Sequence, residues 1–115
     1  MINAAIAAAL GLLVSAQEPQ PIDDYSTAIT CLAHLTVGGE EVDPVEEDRR
    51  TALAIDLAGR RAARDGVPWT QREADVEAAI DAVWDGIFAE DEADYVAGRQ
   101  AYHVCFARLG LPYPD

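Results

Sequence analysis

The chain has 115 residues, 58 of them apolar, and its 21 acidic side chains face only 8 basic ones, all arginine, for a net charge of −13. That length allows one small domain. The charge argues against nucleic-acid and anionic-membrane partners, both of which reward clustered positive charge, so a protein partner is expected to be basic or apolar.

The apolar residues are unevenly spread. Residues 1–16 hold 13 of them and no charged side chain. The run from Ile2 to Val14 would be about 20 Å long as a helix, short of the roughly 20 residues a hydrocarbon core needs. Val14-Ser15-Ala16 places a small residue at −1 and a tolerated one at −3 of a cleavage site, and the polar stretch Gln17-Glu18-Pro19-Gln20-Pro21 follows, although Met1-Ile2-Asn3 lacks the usual Lys or Arg. The expectation is a cleavable signal peptide over 1–16 and a single helical domain over 17–115. The alternatives for this run are a buried N-terminal helix or an uncleaved anchor. Export implies a periplasmic or secreted protein with no stable membrane insertion once the leader is gone.

Beyond the leader, 45 of 99 residues are apolar and 16 of those are alanine, so the core is thin. Domains of this kind often need a covalent or oligomeric supplement. No stretch alternates with period two, and helix punctuation is legible throughout. A first helix over about 24–37 starts at Asp23 or Asp24, carries the stripe Tyr25, Ala28, Ile29, Leu32 and Leu35, and ends at Gly38-Gly39. A second over 44–65 has Asp43 as cap, Pro44 at its first position and Glu46 at its third. Its acidic start (Glu46, Glu47, Asp48) and basic end (Arg60, Arg61, Arg64) match the helix dipole. Gly66 and Pro68 close it, and its expected buried face is Ala52, Ile55, Ala58, Gly59 and Ala62, flanked by Leu53 and Leu57.

A third helix over about 71–89 opens with Thr70 as cap, Glu73 completing a capping box and Trp69 preceding it. Its stripe of Val76, Ile80, Val83, Trp84, Ile87 and Phe88 is the richest apolar surface after the leader and is expected to centre the core. A fourth helix over 92–109 carries Tyr95, Gly98, Tyr102, Cys105, Phe106 and Leu109 before Gly110. No Gly or Pro separates the last two, but one rod over 70–109 would be roughly 60 Å long, more than a small domain can cover, which predicts a break near Asp91. The fold class is all-α: a small four-helix bundle-like domain with one disulfide.

That disulfide is Cys31 to Cys105. An even cysteine pair in an exported chain usually bonds, and closing a loop over 73 intervening residues is worth about 4 kcal/mol in the chain-entropy model. His34 beside Cys31 and His103 beside Cys105 hold the makings of a Cys2His2 zinc set. Positions two apart on a helix point about 200° apart, however, so His103 and Cys105 cannot face one metal. The acidic clusters at 40–48 and 90–94 lack the alternating pattern of a calcium loop and read as solvated helix starts. No phosphate loop, nucleophile elbow, haem-attachment motif or H-E-x-x-H is present, so no catalytic, cofactor-binding or metal residue is assigned and an enzyme is not expected. The candidate interaction surface is Trp84 and Phe88 with Glu46, Glu47 and Asp48.

The segment Cys31-Leu32-Ala33-His34-Leu35, the run Leu57-Ala58-Gly59-Arg60-Arg61 leading to Gly66-Val67-Pro68, and the late Cys105 together resemble small secreted two-cysteine helical proteins of Gram-negative bacteria. The resemblance implies a compartment and a fold but no activity. In size, class and redox state the chain is also similar to small periplasmic acid-stress chaperones. Three binding roles are therefore in view: chaperone-like or stress-related, inhibitor or immunity-type against a basic enzyme, and small-ligand carrier. The last needs a cavity between the first, third and fourth helices.

Overall fold

The computed structural model describes residues 18–39 and 41–113; the leader expected over 1–16 lies outside the described residues. The described residues form four helices and no strand: α1 (Tyr25–Val37), α2 (Pro44–Asp65), α3 (Trp69–Ile87) and α4 (Glu92–Arg108). None of these is long and apolar enough to cross a membrane.

α1 is the centre. The Asp24 carboxylate accepts the Thr27 N–H at 3.0 Å to close its start, and Gly38, at φ +88°, lets the chain leave it. Ala28, Ile29 and the run from Cys31 to Leu35 are all buried. No Asp, Glu, Lys or Arg occurs from Tyr25 to Gly39, and a helix without charge on any face belongs in the interior. Apart from the contact of α3 with α4, every substantial helix–helix contact runs through α1.

The expectation that the third helix centres the core is thereby corrected. α3 has no buried residue, and Trp84, Ile87 and Phe88 are exposed. Its charges at Asp75, Glu77, Asp81 and Asp85 restrict the apolar residues to one face, of which Val76 and Ala79 rest on the core. It starts two residues earlier than the Thr70 cap implied. Pro68 is the cap, with no side-chain bond, and its carbonyl accepts from Arg72 N–H at 3.0 Å. Trp69 is then helical, and the Arg72 guanidinium lies 4.5 Å over its indole.

α2 keeps its expected bounds but turns a different face inward. Asp43 accepts from Val45 N–H at 3.3 Å, and the exit pairs Val67 N–H with Ala62 O and Gly66 N–H with Ala63 O, with Gly66 left-handed. The buried positions are Ala54, Leu57, Ala58, Arg61 and Ala62, whereas Ala52 and Ile55, expected inside, are exposed. Arginine stems supply the apolar surface that makes this phase favourable. Arg61 is only 2% exposed, and Arg50 sets its guanidinium 3.9 Å over the Phe106 ring while donating to the Phe106 carbonyl.

The chain breaks after Ile87, and Asp91 caps α4 by accepting Ala93 N–H at 2.8 Å. Cys31 and Cys105 are bonded, their Cα atoms 5.2 Å apart and both side chains buried, so α4 is stapled directly to the central helix. Tyr102 and Leu109 bury alongside, and Arg108 donates to the carbonyls of Gln20 and Pro21. The first half of α4 is not covered in this way: Tyr95 and Val96 remain exposed.

Candidate functional site: a cleft between α1, α3 and α4

α3 is held to α1 near its start, where Tyr25 Oη donates to Asp75 at 2.7 Å and Gln71 steadies the same carboxylate at 2.9 Å. Burial first, and the carboxylate second, push the Tyr25 hydroxyl up to about 12. Further along, the helices part. Thr30, His34 and Val37 of α1 face Ala79, Val83 and Ile87 of α3 across an open cleft of about 820 Å³, whose other wall is α4. This lies within the roughly 300–1,000 Å³ typical of small-molecule sites.

One end of the cleft is fixed by a three-way contact. Glu47 Oε2 accepts from Tyr102 Oη at 2.8 Å and from Gly39 N–H at 3.1 Å, joining α2, α4 and the α1–α2 turn. A Cβ at position 39 would stand 2.6 Å from the Tyr102 ring, so only glycine admits that close approach. Burial, reinforced by the Glu47 carboxylate, holds the Tyr102 hydroxyl protonated far above its ordinary range. Arg99 of α4 crosses to Glu41 in the same turn at 2.8 Å.

Both histidines line this cleft. His34 is 8% exposed and forms no hydrogen bond through its ring among the described residues, and burial alone lowers its pKa below the usual value. His103 borders the cleft from α4, edge-on to Tyr102 at 5.5 Å. The zinc set weighed for them is closed by the disulfide, which occupies both sulfurs. Among the described residues no group of three His, Cys, Asp or Glu is placed to hold a metal.

Of the five residues of the candidate interaction surface, Trp84 and Glu47 are brought to the cleft, whereas Phe88, Glu46 and Asp48 do not line it. Trp84 and Phe88 stack on α3 with centroids 5.8 Å apart, both exposed, and Trp84 also lines the cleft. Glu46, Glu47 and Asp48 sit on α2. Hydrogen bonds from Arg49 and then Arg50 pull the Glu46 carboxyl down to about 2. Glu47 is committed to Tyr102 and Gly39, leaving Asp48 as the exposed acid of the three without a hydrogen bond or ion pair among the described residues.

Two cleft residues carry a signal that sequence could have supplied. Gly86 and Gly98 are helical, line facing walls, and would meet nothing within 4 Å if given a Cβ. Glycine inside a helix costs about 0.5–1 kcal/mol relative to alanine. Neither backbone geometry nor a close neighbour requires it at these positions; open space in the cleft is what it provides. No family model, curated protein or solved structure matches the chain.

Proposed function

We propose that this is an exported, acidic helical protein of the periplasm or extracellular space that acts by binding, and that its guest is an apolar small molecule held between α1, α3 and α4. Of the three binding roles, the small-ligand carrier has the most specific support. The observation that carries it is the cleft of about 820 Å³, with apolar walls, a few convergent polar groups and two helical glycines along it. The disulfide is compatible with an oxidising compartment, and the apolar leader supplies the route there.

The test is titration of a naphthylamine-type hydrophobic fluorophore into the oxidised protein, compared with Gly98→Phe, which fills the cleft from α4. Saturable one-to-one binding that the variant loses is the expected result. Absence of saturable binding, or binding unchanged by Gly98→Phe, would refute the carrier reading.

The exposed Trp84–Phe88 stack favours a second, chaperone-like reading, because protonating the carboxylates in acid carries the net charge from −13 towards positive and loosens native ion pairs, freeing this apolar surface further for clients. Suppression of client aggregation at low pH, lost in Phe88→Ser, would support it; equal protection by the variant would count against it. An inhibitor role through the acids of α2 has less to stand on, since Glu46 and Glu47 are engaged within the protein.

A further inference from the structure

The polar groups of the cleft allow its guest to be described more closely, on the carrier reading just given. The carboxylates of Glu41 and Glu47 and the guanidinium of Arg99 line it. Arg99 is spent on Glu41, while Glu47 accepts two hydrogen bonds and forms no ion pair among the described residues. The cleft is therefore left with a carboxylate that no cation neutralises, in a chain of net charge −13 whose field concentrates cations and repels anions. Trp84, Tyr95 and Tyr102 also line it, and aromatic faces attract organic cations.

His34 supplies the directional element. It is more than nine-tenths buried, lines the cleft, and has no hydrogen-bond partner among the described residues. Its ring nitrogens are not sealed from solvent, so a guest donor entering the cleft can take the place of the water that would otherwise bond them. A neutral imidazole offers one ring nitrogen as acceptor. Burial favours that neutral form.

We infer that the cleft recognises an amphiphilic amine: a molecule with an apolar body, seated against Val83 and Ile87 and the glycine-opened walls, and an ammonium head that donates to His34 and lies near Glu47 and the aromatic rings. A fatty carboxylate of the same length would meet the opposite charge balance. A neutral alcohol would keep the apolar contacts and lose the charge-assisted bond.

The experiment is isothermal titration of the full oxidised chain at neutral pH with octylamine, octanol and octanoate, repeated with His34→Leu and Gly98→Phe, each variant checked by circular dichroism. Octylamine should bind about tenfold or more tighter than octanol, with octanoate weakest. His34→Leu should bring octylamine down to the affinity of octanol, and Gly98→Phe should abolish both. His34→Gln, which restores an acceptor, should recover part of the amine preference and serves if the leucine variant does not fold. Equal binding of amine and alcohol would overturn the head-group inference while leaving the carrier reading intact, as would octanoate binding tightest. Amine binding that survives Gly98→Phe would place it on the acidic surface and refute the inference. If none of the three binds, the carrier reading itself falls.

Discussion

Opening the Cys31–Cys105 bond should remove a large part of the stability of this domain. The loop it closes spans a sequence separation of 74, for which the chain-entropy model gives about 4 kcal/mol. Small domains have only about 5–15 kcal/mol in total, and this one is alanine-rich with a thin core. The bond is also placed where little else substitutes for it. Beyond the disulfide, α4 is held by the buried Tyr102 and Leu109, the Arg50 contact with Phe106, the Tyr102–Glu47 hydrogen bond, the exposed Arg99–Glu41 ion pair and the bonds from Arg108 to the Gln20 and Pro21 carbonyls. Hydrogen bonds of this kind each contribute about 1–3 kcal/mol.

Urea unfolding of the oxidised protein, the reduced protein and the Cys31→Ala/Cys105→Ala double variant provides the measurement. With a denaturant slope of about 1–3 kcal/mol per molar, the loss corresponds to a midpoint lower by about 2 M. Hydrogen exchange should show the amides of α4 losing protection before those of α2 once the bond is open. A midpoint shift worth less than about 1 kcal/mol would mean that side-chain packing alone docks α4, and the reasoning about the thin core would be wrong.

The remaining predictions concern glycine and titration. Gly86→Ala and Gly98→Ala should each stabilise the protein by about 0.5–1 kcal/mol in thermal melts while weakening guest binding; destabilisation by both would show that the glycines serve the fold. Gly39→Ala should instead cost about 1–3 kcal/mol, because its Cβ runs into the Tyr102 ring at 2.6 Å. His34, its pKa lowered by burial, contributes stability that is present above the unfolded value of about 6.5 and is lost as pH falls through the folded one; His34→Leu should flatten that limb of the stability profile. Tyr25, pushed up to about 12, acts in the other direction: its contribution is complete below about 10 and disappears as pH rises toward 12. An ultraviolet titration should therefore show Tyr25 and Tyr102 ionising late, and Tyr25→Phe should shrink that late step by one tyrosine while leaving the contribution of Tyr102.

What was legible in the sequence was mainly local. Asp24, Asp43 and Gly66 act within one turn of their own backbone, so their residue types announce their roles without knowledge of the fold. The break before α4 and the Cys31–Cys105 pairing were legible for a different reason, since size and cysteine parity leave few alternatives. The phase of α2 was obscured by treating Arg50 and Arg61 as polar, when their stems line its inner face. The centrality of α1 was readable in its lack of charge but was outweighed by the larger side chains of α3. The cleft depends on where α3 and α4 leave α1, which no single helix encodes; only Gly86 and Gly98 hinted at it.

The distribution of these features explains how a thin core can coexist with an open cleft. The disulfide, the Arg50–Phe106 contact and the Glu47–Tyr102–Gly39 junction all act on the second half of α4, and the Tyr25–Asp75 bond acts near the start of α3. The opposite halves of both helices carry exposed Trp84, Ile87, Phe88, Tyr95 and Val96, with Gly86 and Gly98 among them. Anchoring is thus concentrated at one end of the pair, and exposed apolar side chains are more numerous at the other, although Trp69 and Val104 are exposed at the anchored end as well. A domain short of apolar residues that still leaves these outside its core departs from the pattern that would maximise its stability. Such departures are expected where binding requires them. On the carrier reading, the staple at Cys31–Cys105 has a functional consequence as well as a structural one: it supplies stability from the unfolded chain, so that the walls of the cleft need not close on each other to hold the fold together.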